Sequence, residues 1–244
     1  MFSLYKKSPL GFAIGSILVY CLLQGPAAAF SRFIHMDYAG QAVVNLLLCA
    51  LVLGFLTKHG LLEFFGICGS TLPAQSFYYY LPLVLICTVN FWAGPSLRLP
   101  LEASLCFLVC MLCVGFLEEV LFRGFLFKAL EKNGIRQAIT ISSLSFGLGH
   151  ILNLFSGEGD TLGNLLQVAN ACFLGLLLVL IFYRGGSLLP CIAAHAFINM
   201  SSLFYDAAAY SDTKRLVLTA VHTLLVLAYT LALARRLPQA NKNP

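Results

Sequence analysis

The chain alternates long apolar stretches with short polar, glycine or proline interruptions, and this pattern repeats along most of its length. One helical crossing of a bilayer core requires roughly 20 apolar residues. Stretches near that length occur at about 9–30, 41–57, 77–94, 101–130, 135–155, 162–183, 187–205 and 215–236. The pattern therefore predicts an all-α fold, a polytopic membrane helix bundle of about eight transmembrane helices.

The composition supports a membrane protein. Hydrophobic residues make up 59% of the chain and charged residues 10%, and the mean hydropathy is +0.87. A soluble domain is far less apolar. No linker divides the chain, so we expect residues 1–244 to form a single transmembrane domain of a multi-pass integral membrane protein in the lipid bilayer, with the plasma membrane as its default location.

The net charge of +5 is better explained by membrane topology than by nucleic acid binding, because the basic residues are scattered rather than gathered on one face. With the N-terminus inside, the inner segments hold Lys6, Lys7, Lys58, Lys128, Lys132, Arg136, Arg184, Arg235, Arg236 and Lys242, against Arg32, Arg98, Lys214 and Arg215 outside. By the positive-inside rule, both termini are expected to be cytoplasmic.

The first apolar stretch has a second interpretation. Lys6 and Lys7, the apolar run and the small residues at 27–29 together imitate a cleavable signal peptide. Cleavage of residues 1–29 would leave seven helices with the N-terminus outside. We expect the segment to be retained.

Charged residues interrupt the fourth apolar stretch at Glu118, Glu119 and Arg123. Glu119 and Arg123 are four residues apart, so on a helix they share a face and can form an ion pair. Glu118 points about 100° away around the same helix. Arg123 thus neutralises one carboxylate and leaves the other free for chemistry. Taken alone, the ion pair is more simply interpreted as a brace within the bundle.

Two later stretches repeat the four-residue spacing, with Phe146 before His150 and His195 before Asn199. The members of each pair share a helix face. Taken alone, His150 is more simply a hydrogen-bonded packing residue, and His195 with Asn199 could join two helices.

Together, the three clusters predict one hydrolytic site. Ionisable groups at membrane depth are costly unless they face a protein interior or a water-filled cavity. A water held between Glu118 and His150 could attack a carbonyl while His195 and Asn199 donate hydrogen bonds to the forming oxyanion.

The order and spacing of these clusters resemble the three-motif signature of the CAAX-processing and bacteriocin-processing (CPBP, or Abi) family of intramembrane proteases. The matching residues are Glu118-Glu119-x-x-x-Arg123, Phe146-x-x-x-His150 and His195-x-x-x-Asn199. The flanking residues 122–124, 142–147 and 186–190 also resemble that family, and the signature lies within residues 115–200. The estimate of eight helices is similar to the eukaryotic members that trim prenylated proteins.

The resemblance implies an intramembrane endopeptidase that hydrolyses a membrane-associated peptide or protein, either prenylated or a bacteriocin-like leader. It implies Glu118 as the water-activating base and His150, His195 and Asn199 as catalytic or transition-state groups. The supporting residues are expected to be Glu119, Arg123 and Phe146.

The family has been described both as metalloproteases and as metal-independent glutamate proteases. We expect no metal cofactor, and the chain contains no His-Glu-x-x-His motif. If a divalent metal such as zinc is required, its expected ligands are Glu118, His150 and His195.

Two other classes of function stay open from the sequence. A catalytically silent membrane immunity or regulatory protein would use the polar core to bind a partner peptide or helix, and would tolerate substitution of Glu118 and His150. A small transporter or proton relay would use the same buried charges and would produce solute flux or proton-coupled currents.

Overall fold

A computed structural model describes residues 1–70, 80–97, 99–151, 161–206 and 209–236. Helices account for the regular structure in these ranges, which contain no strand. The α-helices are α1 (Phe2–Lys7), α2 (Pro9–Phe33), α3 (Ala39–Lys58), α4 (Leu81–Cys87), α5 (Leu101–Glu119), α6 (Lys128–Glu131), α7 (Ile135–Gly149), α8 (Thr161–Gly185), α9 (Leu189–Ser201) and α10 (Asp212–Arg236). The all-α prediction is confirmed for this part of the chain.

Five helices in the described ranges are long and apolar enough to cross a membrane. They are Pro9–Phe33, Ala39–Lys58, Leu101–Glu131, Gly163–Gly185 and Thr213–Arg235, and a shorter apolar helix spans Leu189–Phe204. The segments expected at 77–94 and 135–155 lie partly outside the described ranges. Arg98 and Lys242, which were counted for the positive-inside rule, also lie outside them. The protein is therefore an integral membrane protein, and the count of eight crossings stays a prediction.

The outer surface of the bundle is strongly apolar. On α2 and α3, Leu18, Leu22, Leu47 and Leu51 are each more than half exposed. A row of exposed leucines on long apolar helices is typical of a face in contact with lipid rather than with water.

Helix α5 occupies the middle of the bundle, where it contacts α3 and α9, while α8 packs against α7 and α10. Small residues allow two of these close approaches. A Cβ on Gly115 of α5 would lie 2.6 Å from the backbone of Ala196 on α9, and one on Gly147 of α7 would lie 2.8 Å from the Cys172 backbone nitrogen on α8. The first contact brings Glu118 and Glu119, one turn further along α5, beside His195.

The central helix does not end with α5. Residues Val120–Phe127 continue it with π-helical geometry into α6, and every residue of that segment is buried. Short π-helical stretches often occur at functional sites. Here the wider turn carries Arg123 into the bundle interior.

The cysteines act as packing residues. All nine are free, including Cys110 and Cys113, which form a Cys-x-x-Cys pair on α5 and are both buried. Their surroundings resemble those of small core hydrophobes.

Candidate active site

The charged centre of the bundle is an ion pair between Glu119 and Arg123. Arg123 Nη1 lies 2.9 Å from Glu119 Oε1, and both side chains are fully buried. Arg123 Nη2 also donates to the backbone oxygen of Gly175 on α8 at 3.4 Å. The ion pair expected from the four-residue spacing is present, and it joins the central helix to α8.

His195 lies between the two carboxylates. Its Nδ1 is 2.8 Å from Glu119 Oε1, and its Nε2 is 3.7 Å from Glu118 Oε2. The Glu119 carboxylate, neutralised by Arg123, can only accept, so the proton of this hydrogen bond belongs to Nδ1. The opposite ring nitrogen is directed towards Glu118.

Arg123, His195 and His150 all pack against the aromatic ring of Phe146. The Arg123 guanidinium lies 4.1 Å from the centre of its ring. The imidazoles of His195 and His150 meet the same ring edge-on, with centroid separations of 5.4 and 5.6 Å. One aromatic side chain thus fixes the positions of a cation and of both histidines.

Glu118 differs from Glu119 in both exposure and partners. Its side chain is 16% exposed, whereas that of Glu119 is 0% exposed. Glu118 Oε1 accepts a 2.8 Å hydrogen bond from the hydroxyl of Tyr20 on α2. Sequence reasoning missed Tyr20, although a hydroxyl in the middle of an apolar span is a signal that could have been noticed.

His150 and Asn199 complete the predicted set, and both are partly buried. His150 follows the last residue of α7 and contacts the same Phe146 ring as His195. Asn199 lies one turn after His195 on α9, which places it on the same helix face. The structure therefore brings Glu118 beside His195 and both histidines against the Phe146 ring, while Asn199 is placed only by its spacing on α9.

Among the described residues, no group of three His, Cys, Asp or Glu side chains could hold a metal ion. Several candidate ligand atoms are already engaged, since His195 Nδ1 bonds Glu119 and Glu118 Oε1 bonds Tyr20. The expectation of no metal cofactor stays a prediction.

Residues 100–201 match the family model described as type II CAAX prenyl endopeptidase Rce1-like. This segment is similar to the Rce1-like family. The match agrees with the resemblance that the three motifs indicated, and it covers less than half of the chain. No curated protein and no solved structure matches the chain.

The Rce1-like segment contains every residue predicted for the site, from Glu118 to Asn199. It covers α5 to α9 and excludes α2, so Tyr20 reaches the site from outside it.

Proposed function

We propose that the protein is an intramembrane endopeptidase that hydrolyses membrane-associated or lipidated peptides with a water activated by Glu118. The observation that carries this proposal is the position of His195 between a neutralised carboxylate, Glu119, and a more accessible one, Glu118. Two carboxylates in different environments can perform different tasks.

The buried groups support the chemistry without taking part in bond changes. Arg123 compensates the charge of Glu119, and Glu119 in turn orients the His195 ring through Nδ1. A carboxylate that holds an imidazole in one tautomer is a recurring element of hydrolytic sites. Only Nε2 of His195 is then left to face a substrate.

In the proposed reaction, Glu118 takes a proton from a water whose oxygen attacks the carbonyl carbon of the scissile peptide bond. The carbonyl oxygen becomes an oxyanion and accepts hydrogen bonds from the Asn199 amide and from the imidazole N–H of His150. As the carbon–nitrogen bond breaks, Glu118 returns the proton to the leaving amine. One water is consumed, and a carboxylic acid and an amine are formed.

The substrate proposed is a peptide held at the membrane, with a prenylated carboxy-terminal segment as the first choice. The description of the matching family, a CAAX prenyl endopeptidase, supports this choice over a bacteriocin-like leader. It likewise supports a peptidase over a catalytically silent immunity or regulatory protein. We place the enzyme in the plasma membrane in this proposal.

The proposal is tested with the purified protein reconstituted in lipid vesicles. A peptide ending in a prenylated cysteine and three further residues is incubated with the protein, beside the same peptide without the lipid. Mass spectrometry of the products should show removal of the terminal residues from the prenylated peptide, and slower removal from the other. No cleavage of either peptide, or of a membrane-protein extract, would overturn the proposal.

A further inference from the structure

The hydroxyl group of Tyr20 is held inside the bundle at one oxygen of Glu118. The two residues are 98 positions apart in sequence, and the hydroxyl donates to Oε1 over 2.8 Å. Tyr20 is only 7% exposed. A buried hydroxyl aimed at a carboxylate makes a charge-assisted hydrogen bond, which is stronger than one between neutral groups.

A second polar contact fixes the helix that carries Tyr20. One turn further along α2, Gln24 Nε2 donates to Asn45 Oδ1 on α3 at 3.0 Å. Asn45 is fully buried, and its Nδ2 donates to the Cys110 sulfur on α5 at 3.4 Å. This chain of contacts joins α2, α3 and α5, and therefore sets the position of Tyr20 relative to Glu118.

Near the end of α2 the backbone is held as well. Gly40, at the start of α3, packs directly against the backbone oxygen of Ala27, and its N–H donates to Ser31 Oγ at 2.8 Å. The close approach leaves no room for a side chain at Gly40. Helix α2 is thus held at two places, near Glu118 through Gln24 and near its own C-terminal end through Ser31.

The hydrogen bond from Tyr20 gives the two oxygens of Glu118 different roles. Oε1 is occupied by Tyr20, while Oε2 faces His195 Nε2 at 3.7 Å. Without the hydroxyl, the carboxylate could rotate about its last side-chain bond, whose torsional preference is broad. Fixing that rotation keeps Oε2 directed at the site where a water would be activated.

We infer that Tyr20 is a positioning residue for Glu118, supplied by a helix outside the Rce1-like segment. This inference rests on the proposed endopeptidase function and adds a residue to it. Tyr20 acts through Glu118 and does not itself contact the substrate or the attacking water.

The test is the kinetics of Tyr20→Phe in the full-length protein, with the prenylated peptide in vesicles. The expected result is a fall in kcat of about tenfold or more with KM changed by less than about twofold, because the lost interaction orients a reacting group without binding substrate. Ser16→Ala is the matched control. It removes a hydroxyl from the same helix that bonds only the helix's own backbone, at Phe12, and should leave both constants unchanged.

Equal kcat for Tyr20→Phe and the parent, or a rise in KM alone, would overturn the inference while leaving the proposed function intact. Failure of the parent to cleave would instead reject the proposed function, and the positioning role with it. A thermal-unfolding double-mutant cycle between Tyr20→Phe and Glu118→Gln provides an independent measurement. The structure predicts non-additive effects, and strictly additive ones would contradict the contact.

Discussion

At the scale of single residues, Arg123 is fully buried and bonded to Glu119 and to Gly175. Arg123→Met should lower the free energy of unfolding by about 3–5 kcal/mol, because it leaves the buried Glu119 carboxylate without its cation. Chemical unfolding in detergent micelles, followed by circular dichroism, measures the loss.

Lys128→Met is the matched control for that substitution. Lys128 and Glu131 form an ion pair at 3.4 Å on the same continuous helix, but both side chains are partly exposed. Loss of this ion pair should lower the free energy of unfolding by less than about 1 kcal/mol. Similar costs for the two substitutions would contradict the structural role given to Arg123.

A second prediction at the residue scale is that activity does not require a metal ion. Because the proposed reaction assigns proton transfer to Glu118 and stabilisation of the oxyanion to hydrogen-bond donors, we expect the purified protein to keep its activity after prolonged chelation. Elemental analysis of the same sample should find far less than one divalent ion per chain. Loss of activity on chelation that zinc restores would establish a metal-dependent enzyme instead.

The sequence predicted the seven motif residues because their four-residue spacing places polar groups on one face of a helix. It did not predict Tyr20, since a single tyrosine inside an apolar span carries no spacing signal. Its partner, Glu118, is 98 positions away. Only the packing of α2 in three dimensions brings the two together.

At the scale of helices, the approach of α5 to α9 determines how far Glu118 lies from His195. Gly115→Ala would place a methyl group 2.6 Å from the Ala196 backbone, which cannot give way as a flexible side chain could. We expect the free energy of unfolding to fall by about 1–3 kcal/mol and kcat to fall with it, because the helices must separate.

Gly15→Ala is the control for that prediction, since a Cβ at Gly15 of α2 would meet nothing within 4 Å. Alanine is the better helix former, so this variant should be as stable as the parent or slightly more so. If Gly115→Ala behaved like Gly15→Ala in both unfolding and cleavage, the close contact between α5 and α9 would be refuted.

The sequence predicted the length of the central helix well, at 101–130 against the observed Leu101–Glu131. It did not predict the π-helical segment Val120–Phe127, because a run of apolar residues does not encode the wider turn.

At the scale of the whole molecule, we predict that both termini are cytoplasmic and that residues 1–29 are retained. Tags at the two ends should resist protease added to intact cells and become sensitive when the membrane is opened. Mass spectrometry of the intact protein should give the uncleaved mass. An N-terminal tag digested in intact cells, or a mature chain lacking these residues, would contradict the expected topology.

The apolar pattern was enough to predict a helical membrane protein, because hydrophobic length is a strong physical constraint. It was less informative about shorter elements such as α4 and α9, whose lengths depend on packing against neighbours rather than on crossing the bilayer alone.

The central claim is that Glu118 activates the water that cleaves the substrate. The most direct measurement compares the rate of cleavage of the prenylated peptide by Glu118→Gln with that by Glu63→Gln, an exposed glutamate outside the Rce1-like segment. We predict that Glu118→Gln lowers kcat by about 10²- to 10⁴-fold, while Glu63→Gln matches the parent. Cleavage by Glu118→Gln at the parental rate, in a correctly folded sample, would contradict the account.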